Sequence, residues 1–444
     1  MSSRGPSKLR YAVVVATACA AGTACASDGA LDPTFGMGGI VRTGRSGTIL
    51  NAVAVRPDGR IVACGTWQAE STGSKIAVVQ HLADGTPDRE FGADGERVII
   101  ATPEPALCTG IALQADGRVL VSGRSIESIP PPGWNAVRIV ARLTPSGALD
   151  PSFAGGTGIH VSHSGYANAL TLQRDGKILV AGYGPVSSAS LASDFQVMRL
   201  LPDGSIDTTF GDAGVAMPGF ASGIWSNMAT ALAIDAEGRA VVAGSAAAQG
   251  SDGYRLAAVR FQTDGRVDTS FGTGGEALGP FGVKATGIAI QRDGALVLSG
   301  IPGGFYPQSM AMRLLDNGSI DAGFGDDGIV VVRWSDGTRD WATLGSAIAI
   351  QSDDRIVVAG ATYLLKTFGL LGRLDGSGRP DPTFGVGGVE ALDADHTAYP
   401  SSSFTAVTLA GGRIVAVGGV TDASGNYAGA IARFDIDLIF ANGF

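Results

Sequence analysis

The sequence predicts an all-β fold, a seven-bladed β-propeller made of four-stranded antiparallel blades. Three observations carry this reading. Glycine supplies 67 of the 444 residues while hydrophobic content stays at 45%. A short box returns seven times at a near-constant spacing, and each period holds four segments of strand length. Glycine at about twice its usual ~7%, with ordinary apolar content, suits many short strands joined by tight turns. No amphipathic helical segment of useful length is visible in 27–444.

The chain opens with Arg4, Lys8 and Arg10, then the apolar run YAVVVATACAAGTACA over 11–26, ending in Ala24-Cys25-Ala26. A charged start, a short apolar stretch and a small-residue exit read as a signal peptide over 1–26. The run is too short and too rich in Ala, Thr and Gly for a membrane span, and no other segment nears the required ~18 apolar residues. A lipid anchor at Cys19 or Cys25 is the alternative, although Ala16 and Gly22 stand where a lipobox usually carries leucine. The expected localisation is export: secreted, periplasmic or outer-membrane-associated. Without the leader only Cys64 and Cys108 remain, too few for a disulfide framework but enough for one bond in an oxidising compartment.

The box first appears as LDPTFGMGG at 31–39. Its aspartates are Asp32, Asp88, Asp150, Asp207, Asp268, Asp321 and Asp381, and a degenerate eighth copy has Asp437 and Phe440. The spacing gives a period of about 58. Such a period with four strands describes one propeller blade. Between boxes lies an alternating run, a turn and another run, as in AVAVRPDGRIVACG at 52–65. Asp-Gly between alternating strands marks a hairpin, read here as a type I′ turn. A third strand then ends in a cation and an apolar residue: Arg142, Arg199, Arg260, Arg313, Arg373 and Arg433, with His81 assigned to that slot in the first repeat. The first period therefore places strands at 50–56, 60–65, 76–82 and 96–100.

The chain begins with an isolated fourth strand, 39–43, and ends after the third strand of its last unit. Docking 39–43 as the outer strand of the last blade closes the ring and removes an open edge. The single propeller domain then spans 27–444, with 438–444 as a short tail.

The D-x-[ST]-F-G-x-x-G box and the hairpin together resemble the delta-60 repeat, or DUF5122 β-propeller repeat, over essentially all of 28–440. The resemblance implies a bacterial, mostly exported propeller with no generally assigned activity. Departures are local: Asp353-Asp354 and Gly411-Gly412 replace Asp-Gly, Glu237 replaces Asp, and Phe153-Ala154 lacks the first box glycine. The final DLIFANGF also resembles a C-terminal tail of some exported bacterial proteins.

Net charge is −9, or −12 without the three leader cations, and no basic stripe appears. This argues against nucleic acid as the main partner. The repeated Asp and Phe invite a calcium reading, but the spacing is not that of an EF-hand loop, and turn chemistry explains them better. His160 and His163 lie on opposite faces of a strand-like stretch, and His396 sits in an acidic loop with Asp393 and Asp395. No cofactor, metal site or catalytic motif is implied.

In an antiparallel blade, the second-to-third and fourth-to-first connections emerge on one face. The hairpin and the box emerge on the other, which therefore holds the repetition, while length variation falls on the first. Every tryptophan and every tyrosine beyond the leader falls in or beside a first-face connection. The candidate ligand-binding residues are Trp67, Trp134, Tyr183, Trp225, Tyr254, Tyr306, Trp334, Trp341, Tyr363 and Tyr427. Such rings give rigid contact area with a hydrogen-bonding tip, so the sequence reads as a module binding a protein segment or glycan. Two other readings stay open. One is a propeller hydrolase or lyase using Asp340, Asp393, Asp395, His163 and His396; the other is a structural surface scaffold.

Overall fold

The computed structural model describes residues 28–436 apart from 70–72, 100–105, 127–135, 187–191, 220–226, 248–252, 305–306, 336–339, 364–366 and 393–399. The leader, the tail and the eighth box lie outside the described residues. Strands form seven sheets, and the one described helical turn is the 3-10 segment Ala154–Gly156. Blade 1 runs outward as Thr48–Val55, Ile61–Ala69, Gly73–His81 and Glu96–Ile99. Blades 2 to 5 repeat this order over 106–162, 166–216, 228–281 and 283–332. The inner strand of each blade lies beside the inner strands of both neighbours, closing a ring.

Closure follows the expected route. Ser401–Ala410, Arg413–Thr421 and Tyr427–Asp435 form three strands of blade 7, and Ile40–Ser46 supplies the fourth. Ile40 pairs with Ala432 and Arg42 with Ala430, antiparallel. The edge strand that the C-terminal end of the chain lacks therefore comes from its N-terminal end.

Three details correct the sequence reading. The hairpin turn is not type I′: Gly59 has φ +85° while Asp58 stays at negative φ, and Gly59 N–H donates to the Arg56 carbonyl at 2.9 Å. This is a type I turn with a glycine bulge, a conformation that Pro57 favours by fixing φ at the second turn position. The inner strand of blade 6, Asp340–Ile350, is extended by a two-residue partner, Trp334–Ser335, where a loop was expected. The repetitive face also carries length variation, since the Ala410–Arg413 hairpin is one residue shorter than its sisters and the box after Phe153 one residue longer.

Third strands such as Ala136–Leu143 and Ser193–Leu200 are buried along their whole length. Each blade is covered on both faces by its neighbours, so apolar residues run continuously there. The core is accordingly a set of seams. At one of them Phe153 packs with Leu120 and Val140 of its own blade and with Ile178, Val180 and Met198 of the next. The seven box phenylalanines, Phe35 through Phe384, are at most 1% exposed. Each burial contributes about 2–3 kcal/mol.

Every inner strand shifts register once, at Asn51, Thr109, Asn168, Thr230, Thr286, Ser346 and Thr405. A bulge frees one residue from the ladder and re-aims its side chain. Asn168 Nδ2 donates to the Ala229 carbonyl of the next blade at 2.6 Å, and Thr230 Oγ1 to that of Ala285 at 2.9 Å. Thr405 does the same to Leu50 across the closing seam.

Candidate functional site

The repetitive face is a structural lattice. In blade 3, Asp207 Oδ1 accepts from the Thr209 amide and hydroxyl at 3.1 and 2.5 Å, and Oδ2 accepts from Arg199 Nε at 2.8 Å. The same guanidinium donates to the Thr263 carbonyl of blade 4 at 2.5 Å and stacks 4.4 Å from the Phe210 ring centroid. Burial pushes the Asp207 carboxyl up, but the Thr209 hydrogen bonds and the Arg199 charge outweigh it and hold the group at about 2. Asp150 is held at about 2 in the same way by Ser152, Arg142 and Arg118.

Matching pairs are Arg142–Asp150, Arg260–Asp268, Arg313–Asp321 and Arg373–Asp381, with Nε–Oδ2 distances of 2.7–2.9 Å. Arg433 pairs with Asp32 at 2.8 Å across 401 residues of chain. Beside them, the amide after each box phenylalanine donates to a turn carbonyl of the next blade, seven bonds of 2.7–3.0 Å. The expected pairing of the repeated arginine with its box aspartate is thus observed, through Oδ2, while Oδ1 is taken by the turn that follows. Among the described residues no group of three His, Cys, Asp or Glu is placed to hold a metal ion.

Blade 1 departs from this scheme. The arginine slot holds Gln80, not His81 as the sequence suggested: Gln80 Nε2 donates to Asp88 Oδ2 at 2.6 Å. His81 pairs with Ile61 as Leu143 pairs with Val119, which puts its side chain in the leucine position. Burial pushes its imidazole down to about 4. Gln80 is too short to reach blade 2, and at that seam a disulfide joins Cys64 to Cys108 between second and inner strands.

The opposite face carries the aromatic residues. Trp67 lies near the end of the second strand of blade 1, with Arg45 4.7 Å from its ring centroid. Tyr183 sits opposite Tyr166 in blade 3, with centroids 4.9 Å apart. Tyr254 and Tyr427 begin the third strands of blades 4 and 7. Burial pushes the Tyr183 and Tyr427 phenols up. Trp334 and Trp341 are backbone partners, and Tyr363 closes the second strand of blade 6 opposite Ala342. Trp134, Trp225 and Tyr306 lie outside the described residues, as do Asp393, Asp395 and His396. His163 and Asp340 belong to blades 2 and 6.

The described aromatics are spread over several blades rather than gathered at one point. Tyr254 lines a cleft of about 490 Å³ that spans blades 4 to 6. Lys284 Nζ stands 5.3 Å from the Tyr254 centroid, and Ile301, Pro302, Pro307 and Leu344 form apolar walls. Beside it Phe281 is 60% exposed under Arg255, 4.2 Å away. Sequence reasoning missed Lys284, Arg255 and Phe281 because it followed tryptophan and tyrosine, and only pairing across the sheet brings these three beside Tyr254. A similar depression of about 500 Å³ lies on the lattice face but is lined by no aromatic ring or cation. The aromatic cleft is the better ligand site, since a few polar groups among apolar walls give both affinity and orientation. Among the described residues no helix is long and apolar enough to cross a membrane.

No curated protein matches the sequence. Among solved structures, the polysaccharide lyase Uly1 aligns with a TM-score of 0.52 at 9% identity, over 87% of this chain and 90% of that one. A protein of unknown function from Dyadobacter fermentans DSM 18053 gives 0.45 at 12% identity, over 90% and 100%. A catalytically inactive virginiamycin B lyase from Staphylococcus aureus, with quinupristin, gives 0.44 at 11%, over 88% and 98%. Likeness at such identities concerns the fold alone. The family model of the domain of unknown function DUF5122 beta-propeller matches residues 56–91, 114–153, 173–210 and 237–271. Four repeats of this chain thus match the DUF5122 β-propeller repeat.

Proposed function

We propose that the chain is an exported binding module that takes a protein segment or a glycan on its aromatic face. One observation carries the reading: the two faces divide their work. The box face is consumed by arginine–aspartate–phenylalanine stitches and seam hydrogen bonds, whereas the other face holds the irregular connections and the Tyr254–Lys284 cleft. Binding residues concentrate on loops carried by a rigid scaffold. The leader at 1–26 and the buried Cys64–Cys108 bond support an oxidising, extracytoplasmic setting.

Tryptophan fluorescence of the purified chain, titrated with glycans and cell-wall peptides, tests this. A saturable change, weakened at least tenfold by Tyr254→Ala, is expected. A response that is flat across the panel, from a chain with an intact melting transition, overturns the reading.

A further inference from the structure

The Tyr254–Lys284 cleft is set apart by polar groups that the protein leaves unused. It lies over the end of blade 5, with Tyr254 of blade 4 on one side and Leu344 of blade 6 on the other. Lys284 is the one charged side chain among the described residues lining it, and it is exposed. Although Asp and Glu outnumber Lys and Arg by 41 to 32 in the chain, no described carboxylate reaches its ammonium, which meets only the Tyr254 ring. The Tyr254 hydroxyl likewise has no hydrogen-bond partner among the described residues. Lys177, on the box face, shows the contrast: its ammonium stands 3.3 Å from Asp207 and 3.6 Å from Asp175.

The backbone of the cleft offers little to an extended peptide. Pro302 and Pro307 carry no N–H. The Gly282 amide donates to the Tyr254 carbonyl and the Gly303 amide to the Gly282 carbonyl, each at 2.6 Å, and the Pro307 carbonyl accepts from the Thr343 amide at 2.8 Å. Peptides held in extended form draw affinity from main-chain hydrogen bonds, and these groups are already spent. What remains is a ring, a phenol, an ammonium and the apolar walls of Ile301, Pro302 and Leu344. A pyranose bearing a carboxylate uses all of them: its C–H face packs on the walls and the ring edge, its hydroxyls meet the phenol, and its carboxylate meets the ammonium in a charge-assisted hydrogen bond. A cleft of about 490 Å³ holds roughly two such rings.

We propose that the cleft binds an acidic polysaccharide, with a uronate carboxylate on Lys284 and its sugar ring against Tyr254 and Pro302. This rests on the binding-module reading and names the ligand class of that same site.

Calorimetric titration of the full chain with tetramers of galacturonate, glucuronate and mannuronate, each beside its methyl ester, tests the assignment. The ester keeps the sugar and removes the charge. At least one acid tetramer should bind saturably and at least tenfold more tightly than its ester. Lys284→Met, at an exposed position, should bring acid and ester level, and Lys284→Arg should restore the preference. Equal affinity for acid and ester, or a preference that survives Lys284→Met, overturns the proposal while the glycan-binding reading stands. Failure of every tetramer to bind also overturns it. If cell-wall peptides then bind in a way that Tyr254→Ala weakens, the module reading survives, so the two failures are distinct.

Discussion

The ring is closed by a buried ion pair whose partners stand at opposite ends of the chain, so its loss should open one blade selectively. Asp32 is 1% exposed and accepts at Oδ2 from Arg433 and Arg413, and at Oδ1 from the Thr34 amide and hydroxyl at 2.9 and 2.6 Å. Replacing Asp32 with Asn leaves the 8% exposed Arg433 with its Ala83 and Thr34 contacts but no charge partner. Removing one member of a buried pair costs about 3–5 kcal/mol. Asn can keep the Thr34 bonds, which places the expected loss near 3 kcal/mol, roughly a hundredfold in the folding constant. Asp207→Asn in blade 3 removes the same local contacts within one continuous segment, so urea unfolding should show similar losses for both. Hydrogen exchange separates them. In Asp32→Asn, amides of Ile40–Ser46 and of their partners in Tyr427–Asp435 should exchange through an opening lowered by the full loss. In Asp207→Asn they should be unaffected. Midpoints of both variants within about 0.5 kcal/mol of the parent, or an exchange change spread evenly over all blades, would refute the stitch as the closure device.

Three further outcomes are expected. Replacing Cys64 and Cys108 together by alanine should lower stability by about 4 kcal/mol, from the loop entropy of a 44-residue separation; an unchanged urea midpoint refutes a tether at this seam. His81, held near 4, is neutral when folded and gains a proton near 6.5 when unfolded, so stability should fall as pH drops from 6.5 to 4. His81→Leu should shrink that limb, the remainder coming from His160, which burial also pushes down, while leaving the steeper loss below pH 4, where Asp150 and Asp207, held at about 2, lose their advantage over unfolded carboxyls; melting curves from pH 2 to 7 decide. Ala154 occupies a box-glycine position at φ +52°, where its sisters Gly211 and Gly272 sit at +56°, so Ala154→Gly should stabilise by about 1 kcal/mol. A loss on calorimetry would show that Ala154 packs in a way its backbone does not suggest.

Repeat number, strand order and the closing strand were readable because each repeat announces itself with side chains that no other local structure needs. A box aspartate followed by Phe-Gly, an Asp-Gly hairpin and an arginine eight residues before the aspartate together define one blade. The assignment of His81 to the arginine slot failed because periodicity locates a slot only to within a residue. Pairing register, which puts Gln80 on Asp88, is set by hydrogen bonds to the adjacent strand. The bulge residues were missed for a related reason: Asn, Thr and Ser at the head of a strand look like ordinary polar positions until a register shift turns them across the seam.

The sequence by itself determined the blade count, the division into a repetitive and a variable face, and the end-to-end closure, because these follow from spacing and turn chemistry along the chain. Only the tertiary structure decided which side chains share a space. It set Tyr254 beside Lys284, Cys64 against Cys108, and Arg56 against the Gly117 carbonyl. These meetings lie between neighbouring blades, tens or hundreds of residues apart, and ring closure rather than local preference brings them together.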